Sequence, residues 1–155
     1  MSATVTRSVD IDAPAEHVWK IVSDLPGMGS LSPENTGGSW ADGGGPVLGA
    51  VFRGTNAQGS RTWSTRSRVV RCEPGRAFAF DVSSVGLPVA QWSYELAATP
   101  AGGCRVTETW QDRRGRLVGL AGRLLTGVQD REAFTAVSIE TTLARVKARA
   151  ETVSR

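Results

Sequence analysis

Residues 49–112 carry one repeating pattern, in which apolar and polar residues alternate and short turn-forming clusters interrupt the alternation. The interruptions are Gln58-Gly59, Glu73-Pro74-Gly75, residues 86–88 and residues 100–103. A period of two cannot be satisfied by a helix, and connections this short join antiparallel neighbours. The pattern therefore predicts a meander with strands over 50–56, 60–72, 77–84, 89–98 and 103–112. One face follows from the alternation. Phe78, Phe80 and Val82 share a side, as do Trp92, Tyr94 and Leu96, and Val106, Glu108 and Trp110. On the long second strand Trp63, Thr65, Ser67 and Val69 match it and leave Arg66 and Arg68 outside. Slipping the last strand by one residue would bury Arg105, Thr107, Thr109 and Gln111 instead, so the register that turns Glu108 inward is the cheaper one.

The flanks read differently. Val5, Val9 and Ile11 alternate, predicting a half-buried strand over 4–12. Pro14 suits the first turn of a helix and Glu16 its positive end; Val18, Ile21, Val22 and Leu25 follow at helical spacing before Pro26-Gly27 stops it. Residues 28–48, rich in Gly, Ser and Pro around Trp40, predict a loop with one short strand. Beyond Leu117 an apolar stripe runs through Ala121, Leu124, Leu125 and Val128, then through Ala136, Ile139, Leu143, Val146 and Ala150. Gly119, Gly122 and Gly127 weaken its first half, and a break or kink is expected near Gly127. The stripe turns polar at Glu132 and Thr135, which implies that something other than solid core lies beneath the middle of the helix.

At 155 residues and 40% hydrophobic, the chain is expected to form a single domain, 1–155, on one core. No apolar run reaches the ~18–20 residues that span a bilayer, and the N-terminus lacks the apolar centre of a signal peptide. A cytoplasmic protein with no membrane partner is expected, its Cys72 and Cys104 reduced and unbridged. The net charge of +3 is spread among acids, so no nucleic-acid partner is expected; Arg113, Arg114 and Arg116, beside Asp112, read as a solvated loop. The near-exclusive use of Arg over Lys points to a GC-rich, bacterial genome.

Familiar catalytic motifs are missing. Residues 44–49 have the glycine spacing of a phosphate loop, but Ala50-Val51 stands where the charge-bearing pair belongs. There is no Gly-x-Ser-x-Gly elbow. Two cysteines far apart and one histidine, His17, make a zinc site untenable, so no metal and no cofactor are expected. His17 reads as a surface or half-buried helix residue.

A curved sheet that must bury one face, followed by a helix long enough to cover it, gives an α+β helix-grip fold: a curved antiparallel β-sheet wrapped around a long C-terminal α-helix, with a short helical segment after the first strand. The chain resembles the START-like, or Bet v 1-like (SRPBCC), superfamily in its polyketide cyclase/dehydrase branch. The resemblance runs through residues 11–19, Ser32-Pro33-Glu34, Gly54-Thr55-Asn56, residues 73–76, residues 92–96, Val106-Thr107-Glu108, residues 130–133 and Thr142-Leu143, and covers essentially the whole chain. It implies the fold and leaves function open among aromatase/cyclases, dehydrases and lipid or hormone carriers.

The inner face is an odd recipe for a dry core. Trp63, Phe78, Phe80, Trp92, Tyr94 and Trp110, with Trp40 and Phe52, stand beside inward Asn56, Thr65, Ser67 and Glu108. Apolar walls with a few convergent polar groups describe a ligand site. Together with Leu124, Val128, Glu132 and Thr135 of the last helix they are the expected lining of a cavity, opening near the glycine-rich stretch before Ala50 and near residues 119–127. Glu108 is the expected acid or base, with Tyr94 or Glu132 as its companion and Arg131 or Thr135 as further partners. The expected partner is a hydrophobic or aromatic small molecule, and the expected assembly a monomer or homodimer. Three functions follow: a binding module for that molecule; a cyclase or dehydrase using Glu108 and Tyr94 as catalytic residues on a polyketide-type substrate; or a regulatory domain with a vestigial cavity.

Overall fold

The computed structural model describes residues 3–153. Seven antiparallel strands form one sheet: β1 (Thr4–Ile11), β2 (Asn35–Trp40), β3 (Val51–Gln58), β4 (Arg61–Glu73), β5 (Ala77–Ser84), β6 (Leu87–Ala98) and β7 (Cys104–Asp112). Their spatial order is β1-β7-β6-β5-β4-β3-β2, so β2 to β7 form a meander and β1 closes onto its far edge. Three helices complete the fold: α1 (Ala15–Val22), α2 (Arg116–Thr126) and α3 (Arg131–Val153). The curved sheet gripping a long C-terminal helix is the α+β helix-grip arrangement.

Local sequence accounts for these elements with small adjustments. Pro14 is the N-cap of α1, in extended geometry, rather than its first helical residue. The glycine-rich loop holds two 3-10 turns, Leu25–Ser30 and Ala41–Gly43, around the short edge strand β2. Between β5 and β6 the turn is Val85-Gly86, both at positive φ, and Pro88 pairs with Ser83 inside the ladder. Register shifts between Val69 and Arg71 and between Val82 and Ser83 mark bulges, which bend the strands and deepen the sheet's curvature.

The inner face divides into two halves. In one, Phe78, Leu96 and Val106 pack with Val18 and Val22 of α1 and with Ile139, Leu143 and Val146 of α3, all buried. Trp19 locks α1 down: its Nε1 donates to the Ala77 carbonyl at 2.9 Å, and its ring meets Phe78 edge-on at 6.2 Å. The other half of the face faces α2 and the N-terminal half of α3 across a gap, the cavity described below. The helical stripe is not one helix. It ends at Gly127, which adopts φ 75° as the C-cap of α2, and restarts at Arg131. No helix among the described residues is long and apolar enough to cross a membrane.

Candidate ligand cavity and its buried carboxyl

A cavity of about 450 Å³ lies between the inner face of β4–β7 and the N-terminal half of α3, with α2 along its side. Trp63, Phe80, Trp92 and Trp110 supply aromatic wall; Asn56, Thr65 and Ser67 add polar groups from β3 and β4. The exposed liners Val85, Leu87, Leu117 and Leu125 place the mouth between the β5–β6 turn and α2. Gly122 lines that side as well, and of the glycine-rich stretch 28–48 the first part, Met28, Ser32, Glu34 and Asn35, reaches the cavity while residues 36–48 do not.

Glu108 sits on the cavity wall, 2% exposed. Antiparallel pairing sets Tyr94 of β6 directly opposite it, and directly opposed side chains share a face. The Tyr94 hydroxyl donates to Glu108 Oε2 at 2.9 Å, while Oε1 has no partner. Burial pushes the Glu108 carboxyl up to about 8, although the Tyr94 hydrogen bond pulls it the other way. Burial, then the adjacent Glu108 charge, holds the Tyr94 phenol well above its ordinary value. At neutral pH the pair is thus a neutral carboxylic acid beside a neutral phenol, the form in which an acid can donate as well as accept.

The remaining candidates separate by position. Asn56, Trp63, Thr65, Ser67, Phe80, Trp92, Trp110 and Thr135 join Tyr94 and Glu108 on the cavity wall. Phe78 does not: it is fully buried in the half of the sheet beneath α1. Phe52 and Trp40 pack on each other edge-to-face at 5.5 Å, near the outer strand, and also lie outside the lining. Leu124 points into solvent, 74% exposed, because the turn at Gly127 rotates the α2 stripe out of phase with α3. Val128 is buried in that junction without touching the cavity. Glu132 lies on the far side of α3, beside Thr4, Val5 and Arg7, so it is no partner for Glu108. Arg131 and Thr135 line the cavity, yet neither bonds to Glu108; Arg131 is held elsewhere.

Several lining residues escaped the sequence reading. Ser138 and Thr142 follow Thr135 along one face of α3, and their three- and four-residue spacing was the available signal. Two largely buried ion pairs flank the cavity: Arg131 grips both oxygens of Glu34 at 2.8 and 3.0 Å, and Arg114 binds Asp112 at 2.9 Å. The arginine cluster is therefore mixed, with Arg114 at the cavity, Arg113 reaching Asp81 and Arg116 exposed at the start of α2. His17 is half-buried on α1 and remote from the lining. Cys72 and Cys104 are free thiols on strands separated by two others. Among the described residues no cluster of His, Cys, Asp or Glu has the makings of a metal site.

Comparison with known families gives one match, over residues 2–151, to the family described as polyketide cyclase / dehydrase and lipid transport. The chain belongs to that family. No curated protein matches the sequence at a significant level. Among solved structures, this family member is similar to a polyketide-cyclase-like protein from Corynebacterium glutamicum, at 28% identity and TM-score 0.68, covering 100% of this chain and 95% of that one. It is also similar in fold to the Zhui aromatase/cyclase from Streptomyces sp. R1128, with 22% identity, TM-score 0.69 and coverage of 100% and 97%. A third similar fold is half of the di-domain aromatase/cyclase BexL: 22% identity, TM-score 0.71, covering 97% of this chain and 50% of that one. The polyketide cyclase/dehydrase family holds both catalysts and carriers, so the choice between them rests on the cavity's own chemistry.

Proposed function

We propose that the chain, acting as a single domain in the cytosol, binds a hydrophobic or aromatic small molecule in the cavity between the sheet and α3. The observation that carries this reading is the Glu108 carboxyl: one oxygen held by Tyr94, the other unpartnered, at the wall of an aromatic cavity. An unmet buried carboxyl oxygen costs about 1–3 kcal/mol or more, and a ligand hydroxyl or carbonyl would relieve it. The volume falls in the range of small-molecule sites, and the aromatic walls favour flat rings. Native mass spectrometry of freshly purified protein is the test. The expected result is a co-purified small molecule, or uptake of an added aromatic one, that Ser67→Phe excludes by filling the cavity. Binding that survives this blockage would overturn the assignment.

A second reading is favoured by the same pair. A carboxyl poised at about 8 is matched to general acid or base work near neutral pH, so Glu108 with Tyr94 would assist enolisation or loss of water from a polyketide-type substrate. If the protein is such a cyclase or dehydrase, Glu108→Gln keeps the fold and lowers turnover roughly 10²–10⁴-fold. If it is a carrier, the same change alters affinity alone.

A further inference from the structure

The outer, convex face of the sheet carries positive charge that the fold does not use. The register sets Arg53 of β3 directly opposite Arg66 of β4, and Arg68 lies two residues further along β4 on the same side. All three are exposed. Directly opposed side chains sit ~5 Å apart, and like charges in that position destabilise a ladder. The carboxylates of this face are engaged elsewhere: Glu73 and Glu95 hold Arg71, Asp10 holds Arg105, and Asp81, opposite Arg68, accepts from Gln91 and Arg113. Among the described residues Arg53, Arg66 and Arg68 make no ion pair. Neither β2 nor β3 contains an acid, and Glu73 at the end of β4 is that strand's only one. Hydroxyls frame the arginines: one row across four strands reads Ser39, Arg53, Arg66, Ser83, and Thr55 opposite Ser64 begins the next. Threonine at 53 or 66 would suit the strand and remove the repulsion.

We infer that this face docks an acidic helix of a partner protein, with carboxylates one turn apart seated on the Arg53–Arg66 pair and on Arg68. Two residues of a strand span ~6.7 Å, close to the ~6 Å rise between residues i and i+4 of a helix, so one helix laid along β4 meets both positions. Each guanidinium can take a carboxylate through two parallel hydrogen bonds. A convex sheet has no walls to enclose a small anion, so the occupant is a surface rather than a free molecule. A bilayer would be met by large apolar groups, and here the arginines stand among serines and threonines. A nucleic acid needs a longer basic track, and this one stops at Asp81 and at the cluster of Arg71 with Glu73 and Glu95. The three arginines lie on the side of the sheet away from the cavity, so the inference is independent of what the cavity holds.

The test titrates the full chain against a fluorescein-labelled, alanine-based helical peptide of about 20 residues with glutamates paired at i and i+4, followed by anisotropy. A peptide with glutamine at those positions is the neutral control. The wild type is expected to bind the glutamate peptide, more weakly as salt rises, and to ignore the glutamine one. Arg53→Ser/Arg66→Ser/Arg68→Ser should lose about 10-fold or more of that affinity, the scale of three exposed charge pairs. Arg76→Ser/Arg116→Ser/Arg123→Ser removes the same net charge from exposed arginines elsewhere and should lose no more than about 2- to 3-fold. Equal losses in the two variants would reduce the effect to net charge and overturn the site. So would no binding by the wild type, or equal binding of both peptides. A single-stranded RNA of about 20 nucleotides and vesicles of phosphatidylcholine with phosphatidylserine complete the set; tighter binding of either through the same three arginines overturns the acidic helix as occupant. Because Arg53 and Arg66 repel, the first variant should melt at or above the wild type, and a lower melting temperature would make the arginines structural and overturn the inference. If that variant is poorly soluble, Arg66→Ser alone carries the comparison, with about a 3-fold loss for the glutamate peptide and no fall in melting temperature.

Discussion

Replacing Glu108 by Gln isolates the energetics of the buried carboxyl. The folded protein holds this proton up to about 8, while in the unfolded chain the group titrates at its ordinary 4.5. Between those two values the folded state binds more protons than the unfolded state, so stability falls as pH rises. The contribution is fully present below pH 4.5 and is lost by the time pH has risen through about 8. At about 1.4 kcal/mol for each pH unit, the whole window is worth on the order of 5 kcal/mol, of which roughly 3 falls between pH 5.5 and 8.5. Glutamine has the same shape, accepts from the Tyr94 hydroxyl through its amide oxygen and does not titrate. Urea denaturation followed by tryptophan fluorescence at the two pH values is the assay. With a slope of about 2 kcal/mol per molar urea, the gap between wild-type and Glu108→Gln midpoints should shift by roughly 1.5 M in favour of the variant on going from pH 5.5 to 8.5. Carboxylates outside the cavity, such as Asp10 and Glu73, are held low by Arg105 and Arg71 and lose their contribution only in acid, identically in both proteins. Parallel stability curves for the two proteins would refute a proton held by burial at this site.

Three further substitutions probe the frame of the cavity. Gly127→Ala puts a side chain at φ 75°, where its Cβ would lie 2.5 Å from Arg61 Nη1; a loss of about 1–2 kcal/mol in thermal melts is expected, with the α2–α3 break disturbed. Arg131→Met leaves Glu34 unpaired at a largely buried position and should cost about 2–4 kcal/mol by denaturation, most of it recovered when Glu34→Gln is added. Trp19→Phe removes the donor to the Ala77 carbonyl and should cost about 1–3 kcal/mol by the same measurement, with no change in ligand affinity because Trp19 lies in the other half of the sheet.

The strands and their inner face were legible because a period of two has one physical meaning. The opposition of Tyr94 and Glu108 followed from alternation on adjacent strands joined by a short turn. Alternation names a face, however, and not which part of that face a helix covers. Phe78 and Phe80 share it, yet Phe78 lies beneath α1 and Phe80 on the cavity, a division made by long-range packing of Trp19. Helical phase failed in the same way at one glycine. Read through Gly127, Leu124 belongs to the inner stripe; with the chain turned there, it faces water. Glu132 and Thr135, three apart, share a face by spacing alone, but α3 presents Thr135 to the cavity and Glu132 to the groove beside β1. Ion pairs such as Arg131–Glu34, joining residues far apart in sequence, leave no periodic trace at all.

The strand order has a kinetic consequence. Every ladder in the sheet joins strands consecutive in the chain except one: β1 pairs with β7, Thr4 opposite Gln111 and Ile11 opposite Cys104. The meander from β2 to β7 can zip up hairpin by hairpin, each on a scale of about 1–10 μs, whereas β1 must wait for a partner at the other end of the molecule and close the longest loop. The last helix made then clasps the first strand made: Lys147 Nζ donates to the Asp10 carbonyl, the Asp12 amide to Glu151, and Arg7 meets Glu140. On the ribosome the first strand therefore emerges early and stays unpaired longest, and the cavity half of the inner face, which α1 does not cover, is bare until α2 and α3 arrive. Pulling β1 and α3 apart by their outer ends would load that late-formed clasp first, peeling both away while the meander still held.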